Sequence, residues 1–411
     1  MLDIKFIREN VDLVKRVVKN KQLDISIVDS VLKIDEKKRK LIGEVEELRG
    51  LKNKYASEKN IEKGKETKLK LQELEPRLSE VEKEFLAAIY KIPNIVSSDT
   101  PIGKDESENK VIRSWGTPKE FKFTPKDHLE LGTKLGIIDT ELAGRVVGTR
   151  FTYLFGDAVL LQNSLYQFAL EVLLKKGFIP VLPPLFINPD VYTKMARLSP
   201  ETEIERYAIE RDNQYLIGSA EHTLGPMHMG ETLNEKALPL RYFAFTPAFR
   251  REAGSYGKDT KGILRQHQFD KLEMESFSTP EQGLVEQDFF VSIQEELMQA
   301  LEIPYQVVAI CTGDMGGPDF RQMDIESWMP GQGKYRETHT SDYMTDYQSR
   351  RLNTRVKTKN GVEFVHMNDA TAFAMGRTII AILENYQNED GSINVPSVLQ
   401  KWMGKSKIQT K

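Results

Sequence analysis

Cysteine is almost absent from this sequence of 411 residues, in which Cys311 is the only one. A single cysteine excludes disulfide bonds within the chain and any zinc site built on paired cysteines, and it is typical of a reducing compartment. Long apolar runs are also lacking, since no stretch approaches the ~20 residues of a membrane span. The opening residues, MLDIKFIREN, lack the apolar stretch of a signal peptide. We therefore expect a cytoplasmic protein without a membrane partner.

An excess of one charge is missing too. The chain has 58 Lys and Arg against 61 Asp and Glu, a formal net charge of −3. Any nucleic-acid contact must therefore come from a local basic patch and not from the overall field. The length suits two or three domains with sizeable cores.

Heptad-like apolar stripes dominate the first ~100 residues. They are interrupted by a polar break at residues 60–64, and Pro76 in the second stripe predicts a kink or a late helix start. Two such stripes predict an antiparallel helical hairpin of coiled-coil type, with arms of about 27 residues that reach roughly 40 Å. The stripes are formed by Leu41, Val45, Leu48, Leu51 and Tyr55, and by Leu71, Leu74, Leu78, Val81, Phe85 and Ala88.

The tip of this predicted arm is basic. A charge run is usually just a solvated surface, but a protruding basic arm on an otherwise acidic protein favours binding to a phosphate backbone. Reading of specific bases is not indicated. The basic residues are Arg49, Lys52, Lys54, Lys59, Lys63, Lys65, Lys68 and Lys70, against Glu58, Glu62 and Glu66.

The rest of the chain predicts an α+β fold. Residues 93–125 contain four prolines and are typical of a linker. From residue 151 onwards short alternating segments mix with helical ones without βαβ regularity, which predicts an antiparallel sheet. We expect an N-terminal domain at 1–105 that carries the arm and a catalytic domain at 106–411.

Two alternating segments around residues 238–250 and 265–274 predict a β-hairpin with an unusual face. Side chains on a strand alternate faces, so one face receives a cation, an aromatic ring and a carboxylate. That face could be a plain exposed surface, or it could hold a phosphate, a flat base and an ammonium group. It is formed by Arg265, His267, Phe269, Lys271 and Glu273, with Leu272 and Met274 opposite; Lys258, Asp259 and Lys261 belong to the connecting loop, predicted to cover the site.

The motifs resemble those of seryl-tRNA synthetases, class II aminoacyl-tRNA synthetases. The stretch FRREAGSYGKDTKGILRQHQFDK resembles the family's second signature, HMNDATAFAMGRTIIAILENYQ the third, and GFIPVLPPLF the first, which implies a homodimer. The helical arm matches the family's tRNA-binding domain. The segment KMAR at 194–197 faintly resembles the mobile loop of class I synthetases, but it lacks the His-Ile-Gly-His partner and is set aside.

The resemblance implies an ATP site on the predicted hairpin. Arg250 would stabilise charge on the α-phosphate and Glu252 would lie at the adenine end. Phe269 would stack on adenine, Arg265 would reach the triphosphate, and Arg377 would sandwich adenine or meet the γ-phosphate. The implied ATP residues are Arg250, Arg251, Glu252, Arg265, Gln266, Phe269, Glu337, Thr338, His339, Thr340 and Arg377.

Mg²⁺ and serine sites are implied in the same way. Glu337 and Thr340 match the metal-holding residues, since Mg²⁺ prefers oxygen ligands, while Glu326 has no assigned role beyond a structural ion pair. Asp369 stands where the family usually has Asn, so it could weaken the site, be protonated, or simply cap the following helix. Ser219 replaces the family's Thr. The implied serine residues are Ser219, Ala220, Glu221, Arg250, Glu273, Asp369 and Thr371.

The function implied is serine activation by ATP, followed by transfer of the seryl group to tRNA(Ser), with tRNA(Sec) left open as a second substrate. Only 24 residues follow Gln387, so we expect tRNA recognition through the arm. Two alternatives stay open. A ligase that loads a carrier protein would lack the arm, and a non-catalytic paralogue would be favoured by Asp369 alone.

Overall fold

Helices form the N-terminal part of the chain, and the last two make a long hairpin. The computed structural model describes residues 1–253, 262–359 and 361–410, so Lys258, Asp259 and Lys261 lie outside the described residues. Ion pairs join the two long helices in antiparallel register, which confirms the predicted hairpin. The helices are α1 (Ile4–Glu9), α2 (Val11–Asn20), α3 (Ser26–Ser57) and α4 (Ile61–Ile89).

The hairpin is longer and more continuous than its sequence indicates. The 32 residues of α3 span about 48 Å at 1.5 Å per residue. Helix α4 runs through Pro76 without a break, so the predicted late helix start is wrong. Proline removes only one helical hydrogen bond, and the buried stripe of Leu71, Val81 and Phe85 keeps the flanking turns in place. The turn between the helices is limited to residues 58–60.

The base of the hairpin packs directly on the rest of the molecule. Ile7, Val18 and Ile89 share a buried cluster with Tyr347, which comes from the catalytic part of the chain. The buried ammonium of Lys21 donates to the carbonyl oxygens of residues 316, 317 and 319 at 2.8–3.2 Å. Since apolar packing and three charge-assisted bonds act together, the N-terminal helices are fixed at this point.

An eight-stranded sheet forms the centre of the remaining chain, in the order β1-β11-β12-β13-β16-β10-β9-β4. Its neighbouring strands are antiparallel except for β4 and β9, which confirms the predicted α+β class. The elements are β1 (Lys110–Trp115), α5 (His128–Lys134), β2 (Ile138–Asp139), α6 (Thr140–Val146), β3 (Tyr153–Leu154), α7 (Asp157–Lys175), β4 (Ile179–Pro180), β5 (Phe186–Ile187), α8 (Pro189–Lys194), β6 (Ala208–Ile209), β7 (Gln214–Leu216), α9 (Glu221–Leu224), β8 (Thr232–Asn234), β9 (Leu240–Phe249), β10 (Gln268–Ser278), α10 (Gly283–Ala300), β11 (Tyr305–Ala309), β12 (Arg321–Met329), β13 (Lys334–Thr345), α11 (Tyr347–Leu352), β14 (Arg355–Thr358), β15 (Gly361–Phe364), β16 (His366–Ala374), α12 (Met375–Asn385), β17 (Ile393–Asn394), α13 (Gln400–Met403) and β18 (Lys407–Ile408).

Strand β1 corrects the prediction that residues 93–125 are only a linker. It pairs with β11 at the edge of the sheet, and Trp115 stacks on Tyr305 with ring centroids 5.7 Å apart. Every residue of β1 is exposed. An edge strand with both faces in solvent has no apolar alternation, which is why its sequence gave no strand signal.

The predicted β-hairpin is present as β9 and β10, whose ends pair Phe249 with Gln268. Strand β10 begins at Gln268 and not at Arg265, because the residues before it make loop contacts. The face assignment holds within the strand, since Leu272 and Met274 point into the main core. That core also receives the apolar sides of α7, α10 and α12. No helix in the described ranges is both long and apolar enough to cross a membrane.

Candidate active site

A polar cleft lies where the β9–β10 hairpin meets β13 and the start of α12. The cleft collects all the residues that sequence resemblance implies for ATP except Arg251 and His339. Its lining consists of Arg250, Glu252, Ile263, Leu264, Arg265, Gln266, Phe269, Lys271, Glu337, Thr338, Thr340, Thr371, Ala374, Gly376 and Arg377.

Arg250 lies at the end of β9 between a carbonyl group and an aromatic ring. Its Nε donates to the carbonyl oxygen of Gly218 at 3.0 Å, and its guanidinium is 5.3 Å from the centroid of Phe269. Glu252 adopts a φ of 50°, so the chain turns just after the strand. Its carboxylate then lies 3.3 Å from the guanidinium of Arg265 on the other side of the loop. Cations from both arms of the hairpin therefore face one cleft.

Arg377, in the first turn of α12, closes the opposite side. Its guanidinium is 2.8 Å from the carboxylate of Glu337 and donates to the carbonyl oxygen of Leu264 at 3.5 Å. Burial would raise the pKa of Glu337, but Arg377 and then Arg250 outweigh it and lower that pKa below its usual value. Glu337 is therefore a carboxylate at neutral pH, as a metal ligand must be.

Acidic groups are crowded behind Glu337. Glu326 and Asp324 lie on β12 opposite Glu337 and Thr340 of β13. Burial first, and then repulsion from Glu337 and Glu326, raises the pKa of Asp324 well above its usual value. Carboxylate and hydroxyl oxygens are ligands of the kind that a divalent cation such as Mg²⁺ prefers. Glu326 itself accepts a hydrogen bond from Gln306 at 2.5 Å, so it has a structural partner on β11.

A second group of acids lies deeper, next to this cleft. One carboxylate oxygen from each of Glu221, Glu273 and Asp369 lies within 4.8 Å of the other two, and all three residues are buried. The Lys271 ammonium is 2.7 Å from Glu273, and the Thr371 hydroxyl donates to the same carboxylate at 3.4 Å. A register shift between β10 and β16 brings Glu273 opposite Thr371.

Several polar atoms of this deeper pocket have no hydrogen-bond partner among the described residues. They include the Ser219 hydroxyl, one oxygen of Glu273 and one oxygen of Asp369. Buried polar atoms are nearly always satisfied in native proteins. The pocket is therefore suited to a small ligand that has both an ammonium group and a hydroxyl group.

Known proteins resemble the chain over its whole length. The seryl-tRNA synthetase N-terminal domain matches residues 1–96, and the tRNA synthetase class II core domain (G, H, P, S and T) matches residues 205–386. The serine–tRNA ligase of Dictyoglomus turgidum is 41% identical over 100% of both chains, and that of Thermosipho africanus is 38% identical over 100% of both chains.

Solved structures agree with these sequence relatives. The seryl-tRNA synthetase of Pyrococcus horikoshii, complexed with ATP, superposes with a TM-score of 0.95 at 39% identity over 100% of both chains. The cytoplasmic serine–tRNA ligase of Naegleria fowleri, in complex with AMP, gives a TM-score of 0.90 at 31% identity, covering 100% of this chain and 99% of the other. The chain belongs to the seryl-tRNA synthetase family.

Membership of this family confirms the fold and the enzyme class that the motifs imply: the chain is an aminoacyl-tRNA synthetase of class II. The N-terminal match also argues against the alternative of a ligase that loads a carrier protein, since such a ligase would lack the arm that is present here. A likeness at 15% identity to a prolyl-tRNA synthetase of Giardia lamblia, with a TM-score of 0.59, shows only that the fold is shared.

Two of the implied ATP residues lie outside the cleft of this seryl-tRNA synthetase. His339 is buried with its ring 5.9 Å from Phe373, and burial lowers its pKa to about 3, so it is a neutral core residue. Arg251 is exposed, with its guanidinium 6.0 Å from the ring of Tyr207. Successive strand residues point to opposite faces, so neighbours of a site residue in sequence need not face the same ligand.

Asp369 lies inside β16, so the alternative that it caps the following helix is wrong. Burial, followed by repulsion from Glu221 and Asp342, raises its pKa well above the usual value. A protonated carboxyl group has a hydrogen-bond donor, as an amide has. The raised pKa favours the protonated carboxyl group, which can donate a hydrogen bond in place of the family's asparagine.

Sequence reasoning missed two cations of the deeper pocket. Lys271 was placed on the correct face by its alternation with Phe269 and Glu273, but it was not taken as a site residue. Arg197 lies in the KMAR segment that was set aside, and its guanidinium is 2.8 Å from Glu221. No local pattern marks Arg197, because all the groups it contacts come from other parts of the chain.

Proposed function

We propose that the two adjoining pockets activate L-serine with ATP, forming seryl-adenylate and pyrophosphate, and that the seryl group then passes to the terminal ribose 3′-hydroxyl of tRNA(Ser). The main support for this proposal is that a cleft lined by arginines and an aromatic ring adjoins a buried pocket of carboxylates and hydroxyls. The first suits a nucleotide and the second suits an amino acid with a polar side chain. Relatives with bound ATP and AMP support the nucleotide assignment.

For ATP we propose roles that follow the lining of the cleft. Phe269 stacks on adenine, and Arg377 covers the opposite side or meets the γ-phosphate. Arg250 holds the α-phosphate, where a guanidinium stabilises the charge that develops as the serine carboxylate attacks. Arg265 contacts the triphosphate, and Glu252 lies at the adenine end.

For serine we propose that Glu221 and Glu273 hold the ammonium group. The Ser219 hydroxyl, which is unsatisfied, is then available to the substrate hydroxyl. The Thr371 hydroxyl donates to Glu273 and can still accept a hydrogen bond from the substrate. A pocket that pairs its polar groups with a substrate hydroxyl discriminates strongly against an analogue that lacks it. Alanine should therefore be a very poor substrate.

Glu337 and Thr340 would hold Mg²⁺, because an ionised carboxylate and a hydroxyl are oxygen donors of the kind this ion prefers. When bound, the ion would neutralise charge on the phosphates. The protein's own contribution is positioning and electrostatics. His222 and His339 adjoin the site segments, but burial lowers the pKa of each to about 3, and neither is proposed as a base.

For tRNA we propose that the tip of the α3–α4 hairpin binds the phosphate backbone of tRNA(Ser), and of tRNA(Sec) as a second candidate. All eight basic residues of the tip are exposed. Arg49 and Lys70 are engaged with Glu75 and Glu66. Within residues 1–253 the other lysines have no carboxylate within 4.0 Å and so remain available: Lys52, Lys54, Lys59, Lys63, Lys65 and Lys68.

We also propose a homodimer, acting in the cytoplasm. Exposed apolar side chains are concentrated in residues 146–186, the region that includes the segment resembling the first signature. Leu182 is 90% exposed, and such apolar surface usually marks an interface. Sedimentation of a Leu182→Glu variant as a monomer, beside a dimeric wild type, would support this. The other exposed members are Val146, Val147, Tyr153, Phe155, Val159, Leu160, Leu174, Ile179 and Phe186.

ATP–pyrophosphate exchange with each of the twenty amino acids tests the central proposal. We expect exchange with serine alone. Absence of exchange with every amino acid would instead indicate the non-catalytic paralogue.

A further inference from the structure

Arg197 is a cation buried among carboxyl groups at the edge of the proposed serine pocket. Its side chain is only 15% exposed, and its guanidinium lies 2.8 Å from Glu221 and 3.4 Å from Asp369. Two further acids, Asp342 and Asp319, lie at 3.9 and 4.0 Å. These four partners come from four separate segments of the chain.

The backbone directs Arg197 towards this cluster. Arg197 follows the end of α8, and the residue before it, Ala196, has a φ of 57°, a conformation that an alanine seldom adopts. Arg206 also donates to the carbonyl oxygen of Arg197 at 3.2 Å. A turn with an unfavourable backbone conformation persists when surrounding contacts hold it.

We propose that Arg197 is a positioning residue for serine recognition, holding the carboxyl groups of Glu221 and Asp369 in place for the substrate ammonium. The inference rests on the proposed serine site and adds a residue to it. A guanidinium can donate to two carboxyl groups at once in a fixed geometry. The ammonium of a lysine cannot reproduce this fork.

The contacts around Glu221 show how its orientation is fixed. The same oxygen, Oε1, lies 2.8 Å from Nε of Arg197 and 3.2 Å from Nε2 of His222. His222 accepts a hydrogen bond at Nδ1 from the amide of Gly218, so its proton is on Nε2 and points at Glu221. The ion pair with Arg197 and the contact with His222, both on one oxygen, restrict the orientation of the carboxylate.

Charge balance gives Arg197 a second effect on the same site. Carboxyl oxygens of Glu221, Glu273 and Asp369 lie within 4.8 Å of one another, and Lys271 compensates only Glu273. Removing one partner of a buried charge pair leaves the other uncompensated and is strongly unfavourable. Without Arg197 the Glu221 carboxylate would lose its compensating cation beside Glu273 and Asp369, and the pocket would rearrange before serine binds.

Arg197 does not line the cleft proposed for ATP. Its two nearest partners, Glu221 and Asp369, belong to the proposed serine pocket. Of its two more distant partners, Asp342 accepts a hydrogen bond from Thr340 of the ATP cleft at 3.2 Å. A loss of Arg197 should therefore change serine binding selectively, whereas a general loss of folding would affect both substrates alike.

The test is ATP–pyrophosphate exchange with Arg197→Met, Arg197→Lys and a matched control, Arg241→Met. Arg241 forms a similarly buried bidentate pair with Glu286, at 2.6–2.7 Å, outside both pockets. We expect Arg197→Met to raise KM for serine by at least about tenfold, with KM for ATP within about twofold. Arg197→Lys should lie between wild type and Met, and Arg241→Met should change neither constant.

A rescue variant separates positioning from a merely structural role. Adding Asp369→Asn to Arg197→Met replaces a carboxyl group that has lost its guanidinium partner with the amide that the family usually has, so KM for serine should fall back towards the wild-type value. If Arg197→Met does not fold, Arg197→Lys serves as the test of the proposal. We then expect KM for serine to rise at least about threefold while KM for ATP is unchanged.

Other outcomes would overturn the inference. They are an unchanged KM for serine, a parallel rise in KM for ATP, or no recovery in the double variant. If the wild type itself fails to exchange with serine, the proposed function is refuted. A wild type that is active with serine, beside an Arg197 variant with unchanged KM, refutes this inference alone.

Discussion

At the residue scale, the contacts of Glu273 show why this buried side chain is proposed to anchor the substrate ammonium. It is fully buried, accepts a hydrogen bond from Thr371 and pairs with Lys271. A buried carboxylate surrounded in this way is a natural anchor for an ammonium group. Burial raises the pKa of Glu273, although Lys271 opposes the shift. Burial, followed by repulsion from Glu221 and Asp342, raises the pKa of its neighbour Asp369 well above the usual value. The two carboxyl groups of one pocket therefore differ because their neighbours differ.

Replacing Glu273 with Gln tests the anchor. The amide keeps the size but removes the charge, and it leaves Lys271 without its carboxylate partner. We expect serine-dependent pyrophosphate exchange to fall by at least about 100-fold, while ATP binding, followed by calorimetry, is retained. Near-normal exchange would mean that the serine pocket lies elsewhere.

Replacing Asp369 with Asn tests its protonation. A carboxyl group whose pKa is raised on folding contributes stability below its ordinary pKa, and this contribution is lost as the pH rises through the folded value. The amide does not titrate, so the stability of Asp369→Asn relative to wild type should increase as the pH rises above the ordinary carboxyl pKa. Thermal unfolding of both proteins at a series of pH values measures the difference. A difference that stays constant with pH would contradict a raised pKa for Asp369.

At the element scale, the β9–β10 hairpin depends on a helix far away in sequence. His128 on α5 accepts a hydrogen bond at Nε2 from the amide of Ile263 at 3.3 Å, and its Nδ1 lies 3.1 Å from Glu384 on α12. A side chain on Gly262 would meet His128 at 2.0 Å, and its φ is +70°. Only glycine fits there, so the segment that leads into β10 packs directly against His128.

His128→Leu should therefore loosen the ATP cleft. The substitution leaves the amide of Ile263 without its acceptor and Glu384 without one partner, a loss of about 1–3 kcal/mol of stability. Since Ile263 and Leu264 line the cleft, we expect KM for ATP to rise several-fold with KM for serine unchanged. Steady-state exchange kinetics measures both constants. A selective rise in KM for serine would show that the two pockets have been assigned the wrong way round.

At the scale of the whole molecule, the two proposed functions, catalysis and tRNA binding, belong to separate parts of one chain. The arm extends beyond the apolar cluster that fixes its base, and that cluster includes Phe85, Ile89 and Ile92. The chain as a whole has a net charge of −3, whereas the tip of the arm is basic. The two functions should therefore be separable by shortening the arm.

The truncation can be designed from the register of α3 and α4. Lys37 pairs with Glu84 and Arg49 with Glu75, so residues 42–80 can be replaced by a short glycine-serine linker between Leu41 and Val81. We expect serine activation within about twofold of wild type, because the base cluster is retained. Charging of tRNA(Ser) should be lost. Charging that survives the truncation would refute the role of the arm.

Sequence alone determined the features that repeat locally or that depend on residue type. The heptad stripes predicted the helical hairpin, the alternation around Phe269 and Glu273 predicted a functional strand face, and the motifs predicted the family. Only the tertiary structure decided that Arg197 contacts Glu221 and Asp369, that β1 completes the sheet, and that burial raises the pKa of Asp369. A periodic pattern is written into neighbouring residues, whereas burial and the pairing of charges are created by segments that meet only when the chain has folded.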